Sequence, residues 1–475
     1  GTEHTVNAPE EEQGHTDNIT NGAYFAWFTA EPPSEAYMYG DYARYSGPRG
    51  KNNEELCRPI DIGVYEYQYM SNFSTMTAIY VDTISRGTGA GNSWLNATDD
   101  LRGAIVGAAN PKQNSGERVV YVRDGDYSWP RLSAGSAYVL NMSDSELSRS
   151  LTLRGACTGV GEEQDFSQQT VVRNDPAANG TTSQLLSVST NSKTVTIEGF
   201  TFINKDHSGD GRGINASTGS GGKLTVKNSA FRLNETGLWM GTDANAGSVL
   251  IYNTLFADQT GTGLESNGTT TLVNTTFANN GTADMTGGPT VYNSVSWGND
   301  SRNMPEESGN ALLGNAVNDD LQNGPNFVDP LNENPELRDY RIRPSVKLLN
   351  QGSNAHYERK VGVDPENDVD LASNLRFVDS SIDIGAYEYE APLQQVIYVR
   401  EGVLNSNGDG TSWTNATDDL QGAVDLGSLW YRNNHTNAYV VVDYNVDGTS
   451  LNISLPGVKV YGGMNRETST YTEGN

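Results

Sequence analysis

Apolar and polar residues alternate in a series of short segments between residues 195 and 300. Alternation with a period of two is typical of β-strands that bury one face. The pattern therefore predicts strands whose side chains point in turn into a core and outward. The segments read VTIEGFTFIN, LTVKNSAFRLN, VLIYNTLFADQ, TTLVNTTFANN and PTVYNSVSWGN.

A glycine or an asparagine at the centre of each segment sets the register of this repeat. Both residue types tolerate the left-handed backbone conformation, so the column predicts a turn whose side-chain amides hydrogen-bond along the column. A phenylalanine follows three residues later in all but the last segment, which predicts a stack of aromatic rings in the interior. The central residues are Gly199, Asn228, Asn253, Asn274 and Asn293, and the residues three positions later are Phe202, Phe231, Phe256, Phe277 and Ser296.

Units of 19 to 29 residues are too short to bury their own apolar faces, so they must stack on one another. The pattern predicts an all-β solenoid of parallel strands. A helix is predicted near residue 100, with Thr98 as N-cap, Asp99 and Asp100 at its positive end, and Leu101 and Ile105 on one face. We expect this short N-terminal helix to cap the open end of the solenoid.

A much longer repeat divides the chain into modules. The motif SWLNATDDL at 93–101 recurs as SWTNATDDL at 412–420, and IDIGVYEY at 60–67 recurs as IDIGAYEY at 382–389. The first motif opens a module and the second closes one. The predicted divisions are the tail of an upstream module (1–70), a parallel β-helix (78–300), a less regular C-terminal part of the same module (301–389), and the truncated head of the next module (396–475).

These motifs carry a resemblance to a known family. Together with LTLRGA at 151–156, VKVYGG at 458–463 and the segment at 327–353, the chain resembles right-handed parallel β-helix proteins with PbH1-type repeats, in particular surface proteins of Bacteroidetes. The resemblance implies a secreted or cell-surface protein, extracellular and often adhesin-like, with tandem modules and without an established catalytic activity.

Charge narrows the choice of partners. Lys and Arg total 31 against 59 Asp and Glu, a formal net charge of −28. Nucleic acid is excluded as the expected partner because phosphate binding requires a basic surface. No apolar run is long enough to span a bilayer, so direct membrane insertion is not expected. The remaining partners are a polysaccharide or a surface glycoprotein.

The best catalytic candidates lie in the loop KDHSGDGRG at 205–213. Asp206, His207 and Asp210 would supply paired carboxylates beside an imidazole, which suits proton transfer on a glycan. The competing interpretation is a solvated polar turn, which we favour because no further acidic motif accompanies the loop. Catalytic residues are therefore assigned only under the alternative that the protein is an enzyme.

A ligand surface is better supported on the outside of the strands. Aligning GRGINAS, ETGLWMG and GTGLESN places Asn215, Trp239 and Glu265 in one outward column. An indole held between an amide and a carboxylate suits stacking against a sugar ring, unless a neighbouring loop covers it. A second outward row contains Tyr252 and Tyr292, which either extends this surface or is simply solvated.

No cofactor or metal is assigned. NSNGDGTS at 405–412 has oxygen ligands that suit calcium, but its internal counterpart RGTGAGNS at 86–93 has no acid. The two cysteines, Cys57 and Cys157, form one disulfide or remain free thiols.

The sequence therefore predicts a non-enzymatic, surface-displayed adhesin or glycan-binding module. Two alternatives stay open. The first is a carbohydrate-active enzyme, either a polysaccharide lyase or a glycoside hydrolase, on the same scaffold. The second is a structural spacer that holds a distal binding domain.

Overall fold

The fold is known for most of the chain beyond residue 72. The computed structural model describes residues 73–84, 86–109, 117–129, 140–142, 150–174, 183–190, 192–205, 210–241, 247–266, 269–305, 309–314, 316–319, 323–343, 345–378, 381–389, 394–401, 410–443, 457–465 and 470–471. The predicted upstream tail at 1–70, including Cys57, lies outside the described residues.

Strands dominate the first module. They are β1 (Ala78–Val81), β2 (Arg118–Arg123), β3 (Gly125–Trp129), β4 (Leu140–Met142), β5 (Leu151–Cys157), β6 (Thr170–Asn174), β7 (Gln184–Ser189), β8 (Thr194–Glu198), β9 (Phe200–Ile203), β10 (Arg212–Ser217), β11 (Lys223–Lys227), β12 (Ala230–Arg232), β13 (Thr236–Met240), β14 (Ser248–Ala257), β15 (Thr262–Glu265), β16 (Thr269–Ala278), β17 (Ala283–Thr286), β18 (Thr290–Tyr292), β19 (Val295–Trp297) and β20 (Ala311–Gly314).

The rest of the chain mixes helices with shorter sheets. The strands are β21 (Phe327–Asp329), β22 (Asp339–Ile342), β23 (Val396–Val399), β24 (Ala438–Val442), β25 (Val458–Tyr461), β26 (Met464–Asn465) and β27 (Thr470–Tyr471). The helices are α1 (Leu101–Ala109), α2 (Asn354–Val361) and α3 (Leu420–Asn434), with 3-10 turns at Trp94–Asn96, Pro335–Leu337 and Pro365–Asn367.

Strands β1 to β20 form two parallel sheets, which confirms the all-β prediction. The small sheet runs β17-β15-β13-β10-β7-β4. The large sheet has two arms, since β14 and β16 are long enough to serve both. The first arm contains β1, β2, β5, β8, β11 and β18, and the second arm contains β3, β6, β9, β12, β19 and β20.

The central residue of each repeat separates the two arms. Gly199 and the four asparagines of the column all have positive φ, between 45° and 76°. This confirms the predicted left-handed turn. Their inward neighbours two positions earlier are completely buried, as the alternation requires; they are Ile197, Val226, Ile251, Leu272 and Val291.

The predicted aromatic stack fills the core beside these turns. Ring centroids are 5.3 Å apart for Phe202 and Phe231, 4.7 Å for Phe231 and Phe256, and 4.9 Å for Phe256 and Phe277. These distances match the spacing of neighbouring strands, about 4.8 Å. Stacking and strand pairing therefore reinforce the same register.

The stack ends by a paired change of residues. A methyl group on Gly237 or Gly263 would come within 2.8 Å of the Phe256 or Phe277 ring, so each ring occupies the space of a missing side chain. Asp284 on β17 stands opposite Gly263 of β15. Ser296 on β19 stands opposite Phe277 and takes the place of the next phenylalanine. The Ser296 hydroxyl donates to the buried Asp284 carboxylate at 2.8 Å, so a polar pair closes the aromatic column.

The asparagine side chains do not form the expected ladder. Only Asn293 donates to its neighbour, the Oδ1 atom of Asn274 at 3.2 Å. Their amides reach instead to residues 327–389, which we call the clasp: Asn228 donates to the Asp370 carbonyl and Asn274 to the Asp383 carbonyl. The prediction therefore holds only for Asn293 and Asn274, because the clasp offers carbonyl acceptors to the amides beside the column.

A ladder of buried amides exists elsewhere. In every member after the first, the side-chain oxygen accepts from the backbone N–H of the preceding member, and the side-chain amide donates to the carbonyl of a stacked phenylalanine. Because buried polar groups need partners, this ladder both fills and specifies the turn. Its members are Asn204, Asn234, Gln259, Asn280 and Asn299.

The clasp covers the second arm. Apolar residues of both pack together, including Leu255, Trp297, Phe327, Tyr340 and Ile384. The closing motif is tied down by backbone contacts, since the Ala386 N–H donates to the Thr276 hydroxyl at 2.9 Å. Residues of IDIGAYEY thus belong to the packing of the fold.

A charged cluster is buried within the clasp. Arg376 donates to the carbonyls of Asp383 and Gly385, and Asp383 accepts from the backbone N–H groups of Asn350 and Tyr389. Burial raises the pKa of Asp383 from its ordinary value of 3.8 to about 7, and burial together with Asp383 raises the pKa of Glu388 well above 4.5. Protonation of Asp383 and Glu388 therefore stabilises the folded state relative to the unfolded state.

The two helix starts correct the predicted N-cap. Helix α1 begins after Asp100, whose Oδ1 accepts from the Gly103 N–H at 2.8 Å, while Thr98 accepts from the Asp100 N–H. Asp419 caps α3 in the same way through Gly422. Thr98 was expected as N-cap, but the backbone becomes helical two residues later. Helix α1 packs its apolar face against β1 and β2 in the main core.

Removing one ring of the aromatic stack tests the register. We expect Phe231→Ala to lower the free energy of unfolding by about 3–5 kcal/mol, because the side chain is fully buried and leaves a cavity. Urea denaturation measures this, with the outward-facing Thr225→Ala as a control. A loss below about 1 kcal/mol would show that Phe231 is not part of a packed stack.

The pKa of Asp383 predicts a pH dependence. A raised folded-state pKa contributes stability below about pH 4 that is lost as the pH rises through about 7. The wild-type unfolding temperature should therefore fall between pH 5 and pH 8 relative to that of Asp383→Asn. Thermal melts at a series of pH values check this, with the exposed Asp300→Asn as a control. Parallel pH profiles for wild type and Asp383→Asn would contradict it.

Candidate ligand-binding surface

The outward column predicted on the repeat lies on the small sheet. Strand pairing sets Asn215 opposite Trp239, and Trp239 opposite Glu265, which confirms the predicted register. All three side chains are partly exposed. The same pairing extends the column in both directions, to Ser187 on β7 and Thr286 on β17.

Inward neighbours hold these side chains in place. Ile214, Leu238 and Leu264 precede the three outward residues and are completely buried in the main core. Since each strand also pairs with a parallel neighbour on both sides, the backbone under Trp239 is fixed by packing and by hydrogen bonds. Ligand binding at this position would therefore cost the protein little conformational entropy.

Trp239 stacks with a charged neighbour. The Arg212 guanidinium lies 4.1 Å from the centroid of the indole, a cation–π contact, and Arg212 also pairs with Asp210 at 2.7 Å. A methyl group at Gly241 would come within 3.2 Å of the indole, so the glycine makes room for the ring. The Arg212 guanidinium therefore covers the centre of one face of the indole, and a ligand would contact the part of the ring that Arg212 leaves exposed.

An amide and a carboxylate flank the indole. The Asn215 amide donates to the Gln184 side chain at 2.7 Å, and the Thr236 hydroxyl donates to the Glu265 carboxylate at 3.1 Å. Each contact fixes the orientation of an outward side chain. The arrangement combines an aromatic surface with oriented hydrogen-bonding groups, which suits a sugar with its apolar face and its hydroxyls.

The other faces of the strands are largely occupied. The clasp packs on the second arm, and helix α2 packs on the far end of the first arm. Among the described residues, the five side chains of the column make no hydrogen bond, ion pair or ring contact with the clasp; these side chains are Ser187, Asn215, Trp239, Glu265 and Thr286. Asn215, Trp239 and Glu265 on the small sheet stay partly exposed.

The second predicted row is not a ligand surface. Tyr252 is only 6% exposed, because it packs with Tyr357 and Ile382 under helix α2. The Tyr292 ring lies against His356 and Lys360 of the same helix, at 4.8 and 4.9 Å. Tyr252 therefore does not extend an exposed surface, because the clasp returns over this row, whereas Tyr292 stays partly exposed beside helix α2.

The predicted catalytic loop is described only in part. Asp206 and His207 lie outside the described residues, while Asp210 is exposed and paired with Arg212. Lys205, at the start of the loop, pairs with Glu336 of the clasp, which Arg173 also contacts. These cations hold the clasp, and the pKa of Glu336 is lowered chiefly by its hydrogen bond with Lys205.

Metal and thiol chemistry find little support. Among the residues described, no group of three or more His, Cys, Asp or Glu side chains could hold a metal ion. The predicted calcium loop falls mostly at 402–409, outside them. Cys157 carries a free, buried thiol whose pKa is raised to about 12 by burial. It therefore serves packing.

Some important residues were missed from the sequence. The amide ladder recurs at spacings of 30, 25, 21 and 19 residues, almost the same as those of the turn column, so its periodicity was readable. Ser187 and Thr286 could also have been found by extending the alignment one unit each way. The clasp contacts had no such signal, because they join residues far apart in the sequence, such as Asn228 and Asp370, which are 142 positions apart.

Comparison with known proteins adds no relative. The chain matches no protein-family model, no curated protein and no solved structure. In the part of the chain that is described, no helix has the length and apolar character needed to cross a membrane. Function is therefore argued from the surface itself.

Proposed function

We propose that this protein is a non-enzymatic, adhesin-like module that binds glycans through the column Ser187, Asn215, Trp239, Glu265 and Thr286. The observation that carries the proposal is the position of Trp239, which is partly exposed on rigid strands of the small sheet. Rigid aromatic platforms beside hydrogen-bonding groups are typical of sugar sites.

We further propose that the parallel units form a right-handed β-helix with α1 as its cap. The support is that sheet pairing follows one register through successive units while the turn column, the aromatic stack and the amide ladder all repeat with it. Right-handed crossover connections between parallel strands are the general rule. Such a scaffold would display the column along its axis.

We place the protein outside the cell, on the surface of a Bacteroidetes-like bacterium, in tandem with neighbouring modules. The repeated opening and closing motifs support the tandem arrangement. Helix α3 of the second head packs through Leu429 against Leu349 of the clasp, which would fix successive modules to each other. The expected partners are polysaccharides or surface glycoproteins.

Replacing the indole tests the proposal. Trp239→Ala should reduce glycan binding on an array by about tenfold or more, because the stacking surface is lost. Its free energy of unfolding should fall by about 1 kcal/mol or less, since the side chain is partly exposed and its main partner is Arg212. Trp239→Phe, which keeps a ring, should restore part of the binding.

Three outcomes would reject the proposal. If Trp239→Ala unfolds several degrees earlier and binds like wild type, Trp239 serves packing. If incubation with polysaccharides releases oligosaccharides and Asp210→Asn abolishes the release, the protein is a carbohydrate-active enzyme. If no glycan on the array binds, the result favours a structural spacer. Trp297→Ala removes a buried tryptophan and serves as the control for loss of the fold.

A further inference from the structure

The spacing of the outward column defines what length of ligand it could contact. Ser187, Asn215, Trp239, Glu265 and Thr286 stand directly opposite one another on five parallel strands. Neighbouring strands lie about 4.8 Å apart, so the column is about 19 Å long. One sugar unit of an extended glycan chain advances slightly more than this strand spacing, so the column is about as long as four units.

The chemistry of the face favours an uncharged ligand. Its positive charge, Arg212, is already paired with Asp210, and Glu265 stands next to Trp239. The chain as a whole carries −28. A polyanionic glycan would therefore be repelled both locally and at a distance.

The other outward side chains are neutral hydrogen-bonding groups. The Ser217 hydroxyl donates to Ser189 at 3.1 Å in the row beside the column, and amides and hydroxyls continue across the face. Such groups match the hydroxyls of neutral sugars, which both donate and accept. The neutral members are Gln184, Ser187, Ser189, Asn215, Ser217 and Thr286.

We infer that the ligand is an uncharged, extended oligosaccharide of about four units that runs parallel to the stacking direction of the strands, perpendicular to the strands themselves. The inference rests on the proposed function and adds to it the charge, the length and the direction of the ligand. The unit above Trp239 would stack on the indole, and the units on either side would contact Asn215 and Glu265.

A panel of defined sugars tests the length and the charge. The probes are cello-, xylo-, manno- and malto-oligosaccharides of two to six units, with oligogalacturonides of the same lengths, titrated calorimetrically at low salt. We expect at least one neutral series to gain about tenfold in affinity from two to four units and then to level off. Oligogalacturonides should bind about tenfold more weakly than that series, with the difference reduced in high salt.

Variants at the ends of the column test the direction. Ser187→Ala and Thr286→Ala should weaken binding of the four-unit sugar about two- to fivefold and leave binding of the two-unit sugar unchanged. Thr225→Ala, on the first arm, should change neither. Trp239→Ala should weaken the sugars of every length.

The inference and the proposed function fail differently. The inference alone is overturned if Trp239→Ala weakens binding but one of three other results is found. These results are tighter binding of oligogalacturonides than of neutral sugars, affinity that does not depend on sugar length, and end variants that bind like wild type. If no probe binds, or if binding is indifferent to Trp239→Ala, the proposed function falls and the inference falls with it.

Discussion

The left-handed turn at the centre of each unit is the constraint on which the rest of the structure depends. A positive φ at Asn228, Asn253, Asn274 and Asn293 bends the chain between the two arms at the same place in every unit. Asparagine and glycine adopt this conformation at low cost, whereas β-branched residues do not. With the bend fixed, the inward residues before it and the phenylalanines after it fall into register, and stacking at 4.7–5.3 Å follows.

The same asparagines explain why the clasp sits where it does. Their side-chain amides point out of the turn and donate to carbonyls at Val369, Asp370 and Asp383. Burying the second arm under apolar clasp residues then covers strand surfaces that would otherwise face water. The clasp covers the second arm, and its helix α2 covers part of the first arm, while Trp239 on the small sheet stays partly exposed. In this way a backbone requirement in the core determines where the clasp packs and which strand surfaces it covers.

The sequence predicted what depends on local periodicity and missed what depends on distant contacts. The strands, the turn column, the aromatic stack and the opposition of Asn215, Trp239 and Glu265 all follow from alternation and spacing, which act over one unit. Tyr252 and Tyr292 were placed outward correctly, but their covering by helix α2 arises from a segment more than 50 residues further along the chain. The stacking of Arg212 on Trp239 depends on side-chain conformation across neighbouring strands, for which residue spacing carries no signal.

The central claim is that an uncharged glycan lies along the small sheet with one sugar on Trp239. A crystal structure of the protein with a bound neutral tetrasaccharide from the strongest-binding series tests it most directly. The account predicts density for a sugar ring against the exposed part of the Trp239 indole, with the chain continuing past Asn215 and Glu265 toward Ser187 and Thr286. Density on the first arm, or a sugar chain lying along a single strand away from Trp239, would contradict it.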